Sequence, residues 1–245
     1  MLLHGLISTH RYWRQVIELL DTDKWHAITP DLLGFGDSPK PKDANYDLAQ
    51  QISCLDRAIG DKYEPPYALV GHSLGAILAL EWALKRPERF KKVILSGLPL
   101  VNRGSQYRQM ASGAESRQIP NEMVAKLALN AFGWLSLLPP SFMRIHRTWP
   151  RHIAEDWAKQ SRRAYRKSLH SNTLYSDDLL EFVGQLKVPT RLLIGKHDDM
   201  IRDAELDKLR TIARRNKNIA IEVIDGGHNI PLRHPEVVAK AVLQV

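Results

Sequence analysis

Apolar residues follow two alternating spacings along most of the chain. Short apolar runs predict strands, at residues 2–5, 25–30, 67–70, 92–95, 190–194 and 219–224. Apolar positions three and four residues apart predict amphipathic helices, at residues 11–20, 46–59, 76–85, 203–214 and from 235 to the end. Thr9 or Ser8 could cap the first of these helices. Strands that alternate with helices are typical of a parallel sheet covered on both faces, so the chain is predicted to be α/β.

The alternation stops between residues 101 and 175, where strand-like runs are missing. Helical spacing predicts helices there, over residues 122–132, 141–147 and 150–169. We interpret residues 101–175 as a helical cap, or lid, inserted into an α/β core domain made of residues 1–100 and 176–245.

The lid is also the basic part of the chain. It holds twelve Lys and Arg residues against four Asp and Glu, and therefore carries the whole formal net charge of +8. The rest of the chain has 23 basic and 23 acidic residues. No recognisable nucleic-acid-binding module accompanies the charge, so a nucleic-acid partner is not predicted. The charge either lies on solvated helix faces or favours anionic substrates.

Composition limits the class of protein. A chain of 245 residues can bury one full core, and 44% apolar with 25% charged residues is ordinary for a soluble globular protein. No apolar run reaches the roughly 18 residues of a membrane span, and no signal peptide is evident. Cys54 is the only cysteine, and no His or carboxylate pair has ligand spacing, so neither a metal nor a cofactor is predicted. The cytoplasm is the simplest location, and the oligomeric state stays open.

The candidate chemistry begins at Gly71-His72-Ser73-Leu74-Gly75. An apolar strand precedes this Gly-x-Ser-x-Gly sequence and a helix follows it. A serine on such a sharp turn adopts strained backbone torsions and exposes its hydroxyl. Gly71 and Gly75 are expected where the strand and helix approach too closely for side chains. The helix offers free amides and its positive end to a developing anion. Ser73 is therefore predicted to be a nucleophile.

A serine nucleophile needs a base, and the base needs an acid that fixes its tautomer. His228 and Asp198 both follow the ends of predicted strands, where α/β sheets place their sites. His72 is not predicted to be the base, because consecutive residues at a sharp turn point in different directions. Asp31 and Asp37 are interpreted as residues that hold a turn through backbone hydrogen bonds. The remaining histidines, His4 and His197 among them, are taken as structural or exposed.

Together these motifs resemble the α/β-hydrolase superfamily. The resemblance rests on His4-Gly5, residues 31–38, the Gly71–Gly75 sequence, Gly195-x-x-Asp198 and Gly227-His228. It is closest to the lidded esterase and carbon–carbon bond hydrolase branches. It implies that Ser73 is the nucleophile, that His228 is the general base and then the acid, and that Asp198, not Asp199, orients His228. It also implies an oxyanion hole made by the amides of Leu6 and Leu74.

One departure concerns the beginning of the sheet. The family places two strands before the His-Gly strand, whereas only Met1, Leu2 and Leu3 precede His4 here. The resemblance therefore predicts a sheet without its N-terminal edge strands, which are either absent or lost with a natural beginning of the chain. Such a chain is expected to be less stable than one that carries them, because unpaired sheet edges promote association.

The predicted function is hydrolysis of an ester, thioester or similar acyl bond of a small molecule through an acyl-enzyme. Two alternatives use the same triad, namely cleavage of carbon–carbon bonds and cofactor-free perhydrolysis. A third is a catalytically silent, ligand-binding member of the fold. The sequence does not separate these alternatives, because lid residues decide the substrate and no motif encodes them.

Overall fold

The computed structural model describes residues 1–21, 23–59, 62–100, 155–156, 159, 161–175 and 178–244. Within these residues, five strands form one parallel sheet, ordered as they occur along the chain. They are β1 (Leu2–Leu3), β2 (Tyr67–His72), β3 (Phe90–Ser96), β4 (Thr190–Gly195) and β5 (Ile219–Ile224). An α/β architecture with a parallel sheet is confirmed.

Helices cover both faces of this sheet. They are α1 (Arg14–Glu18), α2 (Leu48–Ile59), α3 (Leu74–Lys85), α4 (Arg162–Tyr175), α5 (Leu179–Gly184), α6 (Asp203–Arg215), α7 (Ile230–Arg233) and α8 (Pro235–Leu243). A 3-10 turn, His10–Trp13, leads into α1, and the Thr9 hydroxyl caps it by accepting from the Arg11 amide.

Alternate strand residues enter two separate cores, because successive side chains of a strand point to opposite faces. Leu3, Leu69 and Leu192 pack on one face with α2, α3, α5 and α6. Leu2, Val70 and Leu193 pack on the other face with α1 and α8. Burial on both faces explains why β2, β3 and β4 contain continuous apolar runs rather than alternating patterns.

The sheet brings the candidate residues to one edge. Because all five strands run parallel, their carboxyl ends lie side by side. Ser73 follows β2, Gly97 follows β3, Asp198 follows β4 by three residues, and His228 follows β5 by four. The segment after β1 begins with His4, so all the predicted site residues lie at this edge.

Most predicted elements are confirmed within a few residues, and two are wrong. Residues 25–30 form no strand, although the Ile28 carbonyl accepts a hydrogen bond from the Leu2 amide. The predicted helix over residues 150–169 does not continue through Ser161, and α4 begins at Arg162 and extends to Tyr175. The Ser161 amide binds the Gly34 carbonyl instead of a helical partner. The helices predicted at 122–132 and 141–147 lie outside the described residues.

Candidate active site

Ser73 lies at the turn between β2 and α3 with φ 53° and ψ −115°. A positive φ is strained for a residue with a side chain, at a cost of about 1–3 kcal/mol. The turn is held by its backbone, since the Ser73 amide donates to the Ser96 carbonyl at 3.1 Å and its own carbonyl accepts from Ala76 and Ile77. The Ser73 side chain makes no capping bond to α3. Its hydroxyl is therefore left for other partners.

Two glycines permit the close packing of this turn. A methyl group at Gly71 would lie 2.2 Å from the Gly75 carbonyl oxygen. A methyl group at Gly75 would lie 2.1 Å from the carbonyl oxygen of Leu3. The expected close approach of strand and helix is thus present, and it also fixes α3 against β1.

His228 and Asp198 form a direct pair. The imidazole Nδ1 lies 3.1 Å from Asp198 Oδ1 and 3.0 Å from Oδ2. Asp198 is buried, and its Oδ1 also accepts from the Met200 amide at 2.9 Å. Burial alone would raise the pKa of Asp198, but the nearby His228 and these hydrogen bonds outweigh it and leave the pKa below its usual value. The carboxylate is therefore ionised at neutral pH and holds Nδ1 as the protonated nitrogen. Asp199 is exposed.

Ser73 and His228 both adjoin the Ser96–Gly97 dipeptide at the end of β3. The Ser96 carbonyl holds the Ser73 amide, as described above. Gly97 has φ +57°, and a methyl group there would lie 3.2 Å from His228 Cε1 and Nδ1. The imidazole of His228 therefore packs against Gly97, which has no side chain. Gly97 follows β3, the strand next to the one that Ser73 follows.

His72 connects the two segments on their other side. Its Nε2 donates to the His228 carbonyl at 3.0 Å, and its ring stacks on Tyr12 with centroids 4.8 Å apart. The Tyr12 hydroxyl donates to Asn229 Oδ1 at 3.2 Å. Burial, with a smaller effect of the His228 charge, lowers the pKa of His72 to about 3. His72 is thus a neutral imidazole that binds the His228 backbone.

This contact was missed from the sequence. The position of His72 beside Ser73 showed only that the two side chains diverge. His72 contacts Tyr12 and His228, which both lie more than 50 residues away in the chain. A buried polar residue directly before the serine was the only available signal.

The segment that follows β1, residues 4–11, is called the β1 loop below. His4 is fully buried, its Nδ1 donates to the Gly5 carbonyl at 2.8 Å, and its Nε2 accepts from the Leu32 amide at 3.0 Å. Burial lowers the pKa of His4 to about 4, so the ring is neutral with a single tautomer. Because the two polar groups of a trans peptide point in opposite directions, the Leu6 amide points away from His4.

The predicted oxyanion donors are the amides of Leu6, which follows Gly5, and of Leu74, which follows Ser73. Gly5 reaches the serine, since a methyl group at Gly5 would lie 3.2 Å from Ser73 Cβ. Leu74 is the first residue of α3, and the first amides of a helix have no partner within it. Within the described part of the chain, neither of these two amides has a hydrogen-bond acceptor.

Asp31 holds its own turn, as expected, through the Asp37 amide, and it also holds the β1 loop through His10. Its Oδ1 accepts from the His10 amide at 2.7 Å and lies 3.0 Å from His10 Nδ1, while its Oδ2 accepts from the Asp37 amide at 2.8 Å. Burial would raise the pKa of Asp31, but these bonds outweigh it and lower the pKa below its usual value. Asp31 is therefore a structural carboxylate with its acceptors occupied.

Two further findings concern partners. Over the described ranges, no group of three or more His, Cys, Asp or Glu side chains could hold a metal ion. No helix among those residues is long and apolar enough to cross a bilayer.

Comparison with known proteins places this arrangement in context. The model of the "alpha/beta hydrolase fold" family matches residues 1–235. A probable lysophospholipase of Arabidopsis thaliana, BODYGUARD 4, is 33% identical over 99 residues, which are 40% of this chain and 24% of that protein. A 2-hydroxymuconate semialdehyde hydrolase of Pseudomonas sp. (strain CF600) is 37% identical over 103 residues, 40% of this chain and 35% of that protein. The chain thus spans well under half of these relatives.

A solved structure extends the likeness across the whole fold. The thioesterase domain from the curacin biosynthetic pathway superposes with a TM-score of 0.70, covering 99% of this chain and 89% of that one. Its sequence identity is 21%, so this likeness concerns the fold.

Proposed function

Because the chain belongs to the α/β-hydrolase fold family, we propose that it is a serine hydrolase with Ser73, His228 and Asp198 as its triad. It cleaves an ester, thioester or similar acyl bond of a small molecule. The observation that carries the proposal is the His228–Asp198 pair, at 3.0–3.1 Å, beside the strained turn of Ser73. A buried carboxylate that fixes a histidine tautomer, at the same sheet edge as a serine hydroxyl without a capping role, provides the groups that activate serine.

The acylation half forms a bond between Ser73 Oγ and the substrate carbonyl carbon. His228 Nε2 takes the hydroxyl proton as that bond forms, and Asp198 stabilises the resulting imidazolium through Nδ1. The carbonyl oxygen becomes an oxyanion. When the tetrahedral species collapses, the bond to the leaving oxygen or sulfur breaks, and His228 returns the proton to the leaving group. An alcohol or thiol departs, and Ser73 carries the acyl group as an ester.

The deacylation half repeats this chemistry with water. His228 removes a proton from the water as its oxygen bonds to the acyl carbon, and a second oxyanion forms. Collapse breaks the bond to Ser73 Oγ, which receives the proton from His228. A carboxylic acid leaves and the enzyme returns to its starting state, so the net reaction consumes one water.

The Leu6 and Leu74 amides stabilise both oxyanions. His4 supports this role by holding the Gly5 carbonyl, which turns the Leu6 amide away from its ring. Removal of one donor of this kind costs about 10²–10³-fold in kcat. His72 supports the base in a similar way, because its bond to the His228 carbonyl fixes the backbone that carries the imidazole.

An acyl substrate is supported by the name of one relative, a probable lysophospholipase. Carbon–carbon bond hydrolysis is the second candidate, favoured by the 37% identity to the semialdehyde hydrolase over 103 residues. Residues 101–175 act as the lid over a core of residues 1–100 and 176–245. A cytoplasmic location and a cofactor-free reaction complete the proposal.

The proposal is tested by the Ser73→Ala variant. Turnover of an activated aryl ester should fall by about 10⁶-fold, with an unchanged circular dichroism spectrum. Ser53→Ala, on an exposed position of α2, is the matched control and should keep full turnover. Turnover of Ser73→Ala at the wild-type rate would refute the nucleophile, and a wild type inactive on ester, thioester and carbon–carbon panels would favour the ligand-binding alternative.

A further inference from the structure

The β1 loop has a conformation that its own sequence does not favour. Ile7 has φ +66°, a region that β-branched residues rarely adopt. Such a conformation persists only where surrounding contacts hold it. The loop carries Leu6, whose amide serves the oxyanion under the proposed function. Leu6 directly precedes Ile7. Contacts that hold Ile7 therefore act together with His4 to keep the Leu6 amide in one direction.

Two buried or half-buried carboxylates hold the loop. Asp31 binds His10, as described above. Asp156 binds Thr9 and Arg11, with Oδ2 accepting from the Thr9 hydroxyl at 2.6 Å and Oδ1 accepting from Arg11 Nη1 at 3.1 Å. The Thr9 hydroxyl in turn accepts from the Arg11 amide at 3.2 Å.

The Asp156 contact is more than a surface ion pair. The side chain of Asp156 is fully buried, and Thr9 is buried too. A buried carboxylate is retained only when it is paired and hydrogen-bonded, so its partners are constrained as strongly as it is. Glu155, one residue earlier, also pairs with Arg11 at 3.1 Å, but its side chain is 37% exposed. Exposed pairs of this kind contribute little.

Asp156 is 147 residues from Thr9 in the sequence and belongs to the segment assigned to the lid. Later in the same segment, α4 contacts the core through Ser168, whose hydroxyl donates to the Tyr46 carbonyl at 3.2 Å. The contact of Asp156 thus joins the end of the lid to the loop that carries an oxyanion donor.

We propose that Asp156 is a positioning residue that holds the β1 loop, through Thr9 and Arg11, in the conformation that aims the Leu6 amide at the oxyanion. This inference rests on the proposed function. An oxyanion donor works at 2.7–3.1 Å, and a displacement of about 1 Å costs on the order of 10²-fold in rate. Loss of Asp156 therefore weakens transition-state stabilisation while substrate binding is maintained.

The matched variants are Asp156→Asn and Glu155→Gln, which each remove one charge facing Arg11. Thr9→Val and Thr9→Ser form a second pair, since only serine keeps the hydroxyl. With an aryl ester, Asp156→Asn and Thr9→Val should lower kcat by about 10–100-fold, with KM within about twofold of wild type. Glu155→Gln and Thr9→Ser should stay within about threefold of wild-type kcat.

A second readout separates positioning from a general structural effect. A trifluoromethyl ketone forms an oxyanion adduct on serine, whereas the matched trifluoromethyl alcohol has no carbonyl and does not. Asp156→Asn should weaken binding of the ketone by the same factor as kcat and leave alcohol binding unchanged.

Unchanged kcat in Asp156→Asn and Thr9→Val, or a loss confined to KM or to the thermal midpoint, would overturn the inference. If Asp156→Asn does not fold, the Thr9 pair decides, because Thr9 lies in the loop itself. Failure of the proposed function is a different result, since the wild type would then lack esterase turnover and would not bind the ketone more tightly than the alcohol.

Discussion

Replacement of Asp198 by Asn is the sharpest perturbation of the proposed triad. Asparagine keeps the size of the side chain but loses its charge and one acceptor. Asp198 uses both oxygens toward His228 Nδ1 and one toward the Met200 amide. With an amide in that place, the NH2 group faces either Nδ1 or the Met200 amide. His228 is then free to adopt the tautomer with its proton on Nε2, which cannot accept a proton from Ser73.

The magnitude follows from the geometry. A unit charge pair about 4 Å apart is worth about 4 kcal/mol at an effective dielectric constant of 20, and Asp198 is buried. Loss of the correct tautomer in a studied triad lowers kcat by about 10⁴-fold, which is about 5.4 kcal/mol of barrier. Both routes give several kcal/mol, so Asp198→Asn should lower kcat by about 10³–10⁴-fold.

Asp199→Asn is the matched control, because the neighbouring carboxylate is exposed. The assay is kcat and kcat/KM for an activated aryl ester, with circular dichroism to verify folding. Asp199→Asn should stay within about threefold of wild type. A larger loss in Asp199→Asn than in Asp198→Asn would refute the assignment and the argument that burial beside Nδ1 selects the acid.

Three further predictions concern stability and substrate choice. The folded pKa of His4, about 4, lies below its ordinary value, so its contribution is full above about pH 6.5 and is lost as the pH falls toward 4. Between pH 6.5 and 5.5 this residue should lower the unfolding free energy by about 1 kcal/mol. Urea unfolding should show that His4→Asn, unlike exposed His197→Asn, removes that part of the pH-dependent loss, and equal pH slopes in wild type and His4→Asn would contradict this. Gly75→Ala should lower the unfolding free energy by more than about 2 kcal/mol, because its methyl group would lie 2.1 Å from a carbonyl oxygen of β1. Gly184→Ala, with no atom nearer than 3.7 Å, should be neutral or stabilising, and equal losses in both variants would refute the packing argument. Finally, an ester with a distal carboxylate should have a higher kcat/KM than a matched neutral ester at low salt, and the difference should shrink as salt rises. Equal kcat/KM values at low salt would show that the charge of the proposed lid has no part in substrate choice.

The sheet was predictable because local signals and tertiary burial agree there. Strands β2 to β4 contain apolar runs that are buried on both faces, and the ends of β2 to β5 are followed by the glycine and polar residues that mark the site. The order of the strands along the chain is therefore enough to predict that Ser73, Asp198 and His228 lie at one edge of the sheet. Parallel strands make this inference simple, since their carboxyl ends meet.

The remaining features depend on contacts that no local pattern encodes. Residues 25–30 read as a strand but form none, although the Ile28 carbonyl accepts from the Leu2 amide, so tertiary context overrides their propensity. Helix α5 has six residues, too few for a clear apolar period. The contacts of His72 with His228, and of Asp156 with Thr9, join positions 147 or more residues apart in the chain. Spacing along the sequence carries no information about such pairs.

The lid was predicted from the missing strand pattern of residues 101–175 and stays a prediction, and the described part of this basic segment shows where some of its charge lies. Lys167 Nζ donates to the Ala44 carbonyl at 2.6 Å, and Arg163 binds the Lys42 carbonyl. Lys159 lies 3.4 Å from Asp37. These three cations contact the core segment 37–44, which supports a tethering role for this end of the lid.

The central claim is that Ser73 is the nucleophile of a triad, and covalent labelling tests it most directly. The wild-type protein is treated with a fluorophosphonate probe, digested, and the modified residue is located by mass spectrometry. The account predicts one adduct per chain, on Ser73, which forms much more slowly in His228→Ala and is absent in Ser73→Ala. Labelling of a different residue, or equal labelling of Ser73 in the wild type and His228→Ala, would contradict it.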